Sequence, residues 1–116
     1  MGLTTVRARV GRGRRALDAE FLVDSGASYT VLPEPLWRKL GLRSIATRTF
    51  GLADGSTVDR RLSETWFEYG GEGRTVQVVL GERGDEALLG VLTLEAFGLM
   101  LNPFRRELVP MRLLMA

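Results

Sequence analysis

The 116-residue chain contains no cysteine and no histidine. Without cysteine there is no disulfide, no thiolate metal site and no sulfur nucleophile. Without histidine, Ser-His-Asp and Cys-His catalysis and imidazole-bound zinc are excluded as well. Lysine is almost missing too: Lys39 stands alone among sixteen basic residues, and the rest are arginine. The formal charge of only +2 gives no strong field for nucleic acid or acidic lipid. No apolar run reaches membrane-spanning length, and no apolar run follows the N-terminal arginines as a secretory signal requires. These absences predict a soluble, cytoplasmic chain without membrane or nucleic-acid partners. Acid–base chemistry is left to carboxylates, Tyr29, Tyr69 and Lys39.

What is present fits one domain over residues 1–116, with 45% hydrophobic content, fourteen glycines and no linker, repeat or low-complexity tract. Thr4 to Val10 alternates, with Val6, Ala8 and Val10 on one face, and predicts a half-buried strand. Gly11 to Arg15 reads as a solvated hairpin loop, and Ala16 to Val23 as the second strand. Pro33 to Gly41 carries an early proline, an acid in the first turn, late cations and a closing glycine, which predicts a short helix. Trp37 falls on its apolar face as a packing residue.

Further on, Arg48 to Phe50 starts a strand that Gly51 to Ser56 interrupts before Thr57 and Val58, and Asp54-Gly55 predicts a hairpin tip with positive φ at the glycine. Asp54 therefore reads as a turn former rather than a second catalytic acid. Strands are predicted from Arg61 to Tyr69 and Arg74 to Leu80, joined by Gly70 to Gly73, then a buried strand over Ala87 to Leu92. Thr93 is placed as the cap of a helix ending at Phe97, ahead of a final strand pair around Pro103. The tail, Met111 to Ala116, is apolar for a terminus and is expected to be buried against something, a second copy being one candidate.

The chemistry concentrates in Phe21-Leu22-Val23-Asp24-Ser25-Gly26-Ala27-Ser28-Tyr29-Thr30-Val31-Leu32. Two short apolar runs flank a polar turn headed by an acid, and Gly26 can adopt backbone angles closed to other residues. A carboxylate delivered from a buried strand is costly and points to use. A plain hairpin-shaping Asx turn is the bland alternative.

This segment, followed by Pro33, resembles the active-site segment of the retropepsin-like aspartic proteases. The later elements follow that family's order. Ala53-Asp54-Gly55-Ser56 matches the flap tip, Leu88-Leu89-Gly90 the strand that crosses behind the catalytic loop, and Leu94 to Phe97 the short helix. The resemblance covers nearly the whole chain and looks closer to the small bacterial and archaeal proteases than to the viral ones. Retroviral members usually carry an arginine after the crossing-strand glycine, paired with an acid after the catalytic loop. Here those places hold Val91 and no acid near Ser28 and Tyr29.

The resemblance implies an all-β fold: a closed acid-protease-type barrel of one lobe, with a flap hairpin and one or two short helices. It implies an aspartic endopeptidase with Asp24, Ser25 and Gly26 catalytic, and Ala27, Ser28 and Leu52 to Ser56 (Leu52, Ala53, Asp54, Gly55, Ser56) in contact with a peptide or protein substrate. No metal and no cofactor are implied. The reaction needs two carboxylates around one water, and the chain holds a single Asp-Ser-Gly, so a homodimer is expected to supply the second Asp24. Strand 4–10 or tail 107–116 is expected to interleave between the copies. A catalytically inactive dimeric peptide-binding module of the same fold is the alternative, and an Arg-rich nucleic-acid-binding barrel a more distant one.

Overall fold

A computed structural model describes residues 3–112. Strands β1 (Thr5–Val10) and β2 (Leu17–Val23) form an antiparallel hairpin, with Val6 opposite Phe21 and Val10 opposite Leu17. Ala8, Val10, Phe21 and Val23 point into the core, which is the face that the alternation marked. The connecting loop is exposed from Arg12 to Arg15 as expected, and the Arg12 guanidinium stacks 3.8 Å above the Trp66 ring.

Strand β3 (Thr30–Leu32) runs parallel to β6 (Glu72–Leu80), and the two-residue β7 (Leu88–Leu89) lies between β2 and β3. It is parallel to β2 and antiparallel to β3. Strands β4 (Ala46–Gly51) and β5 (Thr57–Tyr69) form a long hairpin, and β5 pairs with β6 on its other edge. The sheet order is β1-β2-β7-β3-β6-β5-β4, and β1 also meets β5 at Arg9–Glu68 and Val10–Phe67. The fold is thus mostly β with two short α-helices and one 3₁₀ turn among the described residues.

Three predicted elements need correction. The extended pair Thr57 and Val58 and the strand expected from Arg61 are one continuous strand, because the β4 ladder holds it in register from Gly51 opposite Thr57 onward. The Gly70–Gly73 loop shrinks to Gly70-Gly71, whose φ values of 60° and 83° suit a two-residue primed turn; Glu72 and Gly73 join β6. The buried strand expected through Leu92 stops at Leu89, and helix α2 (Val91–Ala96) starts at once, with Gly90 rather than Thr93 at its N-cap. Thr93 lies inside the helix and is 1% exposed. The first helical amides are satisfied by backbone: Val91 N–H donates to the Ala27 carbonyl at 2.8 Å and Leu92 N–H to that of Ser28 at 2.9 Å.

Helix α1 (Glu34–Leu40) forms where predicted and buries Trp37 and Leu40. The Trp37 indole N–H donates to the Gly81 carbonyl at 2.8 Å, so this ring is anchored packing. Phe21 and Phe67 meet at the centre, ring centroids 5.3 Å apart, and Phe97 of the segment after α2 adds a third ring 6.0 Å from Phe67. The final pair, β8 (Leu99–Asn102) and β9 (Glu107–Pro110), forms a separate two-stranded sheet around Pro103 as expected. Residues 113–116 of the apolar tail lie outside the described residues.

Candidate active site

Asp24 follows β2 directly and is half-buried. Its N–H donates to the Leu89 carbonyl at 3.0 Å, which fastens the head of the loop to β7. Its carboxylate Oδ1 accepts the Gly26 N–H at 2.9 Å, and its carbonyl accepts the Ala27 N–H at 3.1 Å. The turn is therefore closed by both the side chain and the main chain of one residue. The carboxylate is pinned before any partner arrives.

Gly26 does not use the backbone freedom expected of it, since its φ lies outside the left-handed region. The constraint is space. A Cβ there would stand 3.3 Å from Asp24 Oδ1, tighter than ordinary contact. Gly90 is more restricted, since an added Cβ would meet the Tyr29 carbonyl carbon at 2.4 Å. Chain segments 26–29 and 90–92 are thus pressed together without room for a methyl group.

A cleft of about 490 Å³ opens beside the loop. Gly26, Ala27, Ser28 and Tyr29 form one wall, and Phe50, Gly51, Leu52 and Val58 of the β4–β5 hairpin form another. Tyr29 and Phe50 meet edge to face at 5.7 Å, joining the hairpin base to the loop. Of the residues expected to touch substrate, Ala27, Ser28 and Leu52 line this cleft. Ala53, Asp54, Gly55 and Ser56 do not, because they form the exposed tip of the hairpin beyond its mouth.

At that tip, Asp54 Oδ1 accepts both the Ser56 N–H, at 2.9 Å, and the Ser56 hydroxyl. The hydroxyl bond, then the amide bond, hold the carboxyl below its ordinary value of 3.8. This bears out Asp54 as a turn former.

Ser25 does not line the cleft. It borders a smaller groove of about 280 Å³ shared with Val91 and Leu94 of α2, Leu99 and Met100 of β8, and Met111 just after β9. Among the described residues no three acidic side chains converge in a way that could hold a metal ion.

The sequence reading missed several cleft residues: Val31, Val58, Arg60, Val79, Asp85, Glu86 and Leu88. Arg60 pairs with Glu82 at 3.6 Å, and the Glu82 N–H donates to Asp85 Oδ2 at 2.7 Å, so strand β5 and the 82–86 loop are tied together. Period-two alternation puts Val58 and Arg60 on one face of β5, but the cross-chain partner of that face has no local signature.

An acid closing its own turn at the end of a buried strand, a short strand crossing behind it and a hairpin over a cleft define an acid-protease scaffold. Comparison with known proteins agrees. The aspartyl protease family profile matches residues 6–93. Similar solved structures include the EIAV protease complexed with the inhibitor HBY-793, 17% identical over 84% of this chain and 89% of that chain, with a TM-score of 0.68. The retroviral protease-like domain of Ddi1 from Leishmania major is 15% identical over 95% and 89% of the two chains, with a TM-score of 0.64. A retropepsin-like aspartic protease from Rickettsia conorii is 26% identical over 87% and 85%, with a TM-score of 0.56. No curated protein sequence matches. The chain belongs to the retropepsin-like aspartic protease family.

Proposed function

We propose that this protein is an aspartic endopeptidase that works as a C2 homodimer, with Asp24 of each copy facing the other across the two-fold axis. The observation that carries this reading is the Asp24 turn itself: a single Asp-Ser-Gly loop, braced from behind by β7, at the edge of a peptide-sized cleft. As in aspartic proteases generally, two carboxylates about 3 Å apart share one proton, because both cannot be ionised together. The ionised carboxylate takes a proton from the bound water, whose oxygen attacks the peptide carbonyl. The protonated one donates to the carbonyl oxygen, and the amine leaves after protonation as the tetrahedral intermediate collapses.

Ser25 supports the dimeric reading, since it borders the apolar groove between α2 and the terminal sheet instead of the cleft. Its hydroxyl would bond across the axis and set the spacing of the two loops. Strand β1 is paired with β2 along its length and with β5 at its end, so the terminal sheet is the better candidate for interleaving. Residues 1–116 would form one domain, with the β1–β5 contact as the seam that closes the barrel. The exposed flap tip, Ala53 to Ser56, would fold down over an extended peptide and pair with its main chain.

The test is cleavage of a fluorogenic peptide library by wild type and by Asp24→Asn. Removing a general acid–base group should cost about 10²–10⁴-fold in rate. Cleavage that persists in a folded Asp24→Asn protein, or its absence in wild type, would reject the reading. Specific activity should also fall on dilution, and a fully active monomer at sedimentation equilibrium would reject the shared dyad.

A further inference from the structure

We propose that Thr30 and Thr93 form a neutral hydroxyl clamp that positions the Asp24 loop; the positioning role rests on the function proposed above. Their Oγ1 atoms are 2.6 Å apart, and the residues are 0% and 1% exposed. Thr30 Oγ1 also accepts the Gly90 N–H at 3.0 Å. One buried oxygen thus joins the start of β3, the end of β7 and helix α2, the three segments that surround the loop.

The clamp reaches Asp24 through short backbone steps. Leu89, one residue before Gly90, supplies the carbonyl that accepts the Asp24 N–H. Val91 and Leu92, just after Gly90, donate to the Ala27 and Ser28 carbonyls on the far side of the same turn. Gly90 itself lies against Tyr29 with no room for a methyl group. Fixing Gly90 and α2 therefore fixes both ends of the segment that presents the carboxylate.

The chemistry of the clamp differs from an ion pair. Val91 brings no charge to the residue after Gly90, and no acid stands at Ser28 or Tyr29. Two hydroxyls and an amide satisfy one another inside the core, where an unpaired polar group is costly. Thr93 gives up helix capping for this bond, which explains why its position within α2 defied the local signal.

Three variants test the clamp: Thr30→Val keeps the shape but leaves the Gly90 N–H without its acceptor, Thr93→Val leaves that bond in place, and Thr93→Ser keeps both hydroxyls. Native-state amide exchange should accelerate locally at Asp24, Gly90, Val91 and Leu92, strongly in Thr30→Val and less in Thr93→Val. Amides of the β5–β6 ladder should be unaffected, whereas a general loss of stability would raise all of them together. On a cleaved peptide, Thr30→Val should lower kcat by up to about 10²-fold with little change in KM, as a displaced catalytic group does. Thr93→Ser should restore wild-type exchange and kcat.

Exchange that stays unchanged at Asp24 and Val91 in a folded Thr93→Val or Thr30→Val protein overturns the clamp. So does a uniform rise across the sheet. Exchange needs no turnover, so a wild type that cleaves nothing would defeat the protease reading while the exchange rates still decide the clamp.

Discussion

Two turns in this molecule are built from the same three residue types. Asp24-Ser25-Gly26 and Asp54-Gly55-Ser56 each let an aspartate Oδ1 accept the amide two residues on, at 2.9 Å in both. By local geometry they are near twins, and their surroundings separate them. The first turn is tied to Leu89, Val91 and Leu92 of other segments, while the Leu52–Ser56 tip bonds only to itself and is exposed throughout. A short polar motif becomes a site when distant chain closes around it. The same motif at the end of a hairpin remains a turn.

Exchanging acid for amide at both places should separate the turns most sharply. Asp24→Asn is expected to remove turnover by about 10²–10⁴-fold, whereas Asp54→Asn keeps a carbonyl acceptor for the Ser56 amide and should leave kcat within a few-fold. Comparable losses at both sites, read on the same peptide, would erase the distinction.

Adding one methyl group to each neighbourhood comes next. Gly90→Ala drives a Cβ into the Tyr29 backbone and should destabilise the fold by about 1–3 kcal/mol, with activity lost as the loop shifts. Gly55→Ala meets open space, but its φ of +88° costs a left-handed strain of about 1–2 kcal/mol. Denaturant midpoints would show both losses. The prediction is that only Gly90→Ala also loses kcat in the fraction that remains folded.

The smallest effect concerns acid. Asp54 is held below 3.8 by the Ser56 hydroxyl and amide, so its carboxylate supports the tip fully above that value. The support is lost as pH falls from there through the depressed folded value. A carboxyl NMR titration should find Asp54 ionising below 3.8 in wild type and moving upward in Ser56→Ala. No upward movement would show that the hydroxyl bond does not hold the tip.

Much of the fold and of this contrast is legible in the sequence alone. Alternation at Val6, Ala8 and Val10 marked the buried face of β1, and the Pro33–Gly41 signals placed α1 with Trp37 as packing. Asp54-Gly55 marked the hairpin tip because Asp, Gly and positive φ act within a few residues. Thr93 was misplaced because a threonine ahead of a helix usually caps it; the competing partner, Thr30, lies sixty-three positions away. Strand β5 came out too short for a related reason. Asp59 and Arg60 look like a loop in isolation, and only the β4 ladder makes them strand.

By itself, the sequence determined which chemistry is open to this protein. Without histidine or cysteine the burden falls on carboxylates, and one Asp-Ser-Gly between apolar strands named the residue to watch. These conclusions depend on side-chain identity and short-range backbone preference, both written locally in the chain. Only the tertiary structure decided what holds Asp24 in place and what lines the cleft beside its loop. Hydrogen bonds from Leu89 to Leu92, the Thr30–Thr93 hydroxyl pair and the cleft walls at Arg60 and Asp85 join residues far apart in sequence. Such contacts follow from how strands pair and pack, which no local pattern encodes.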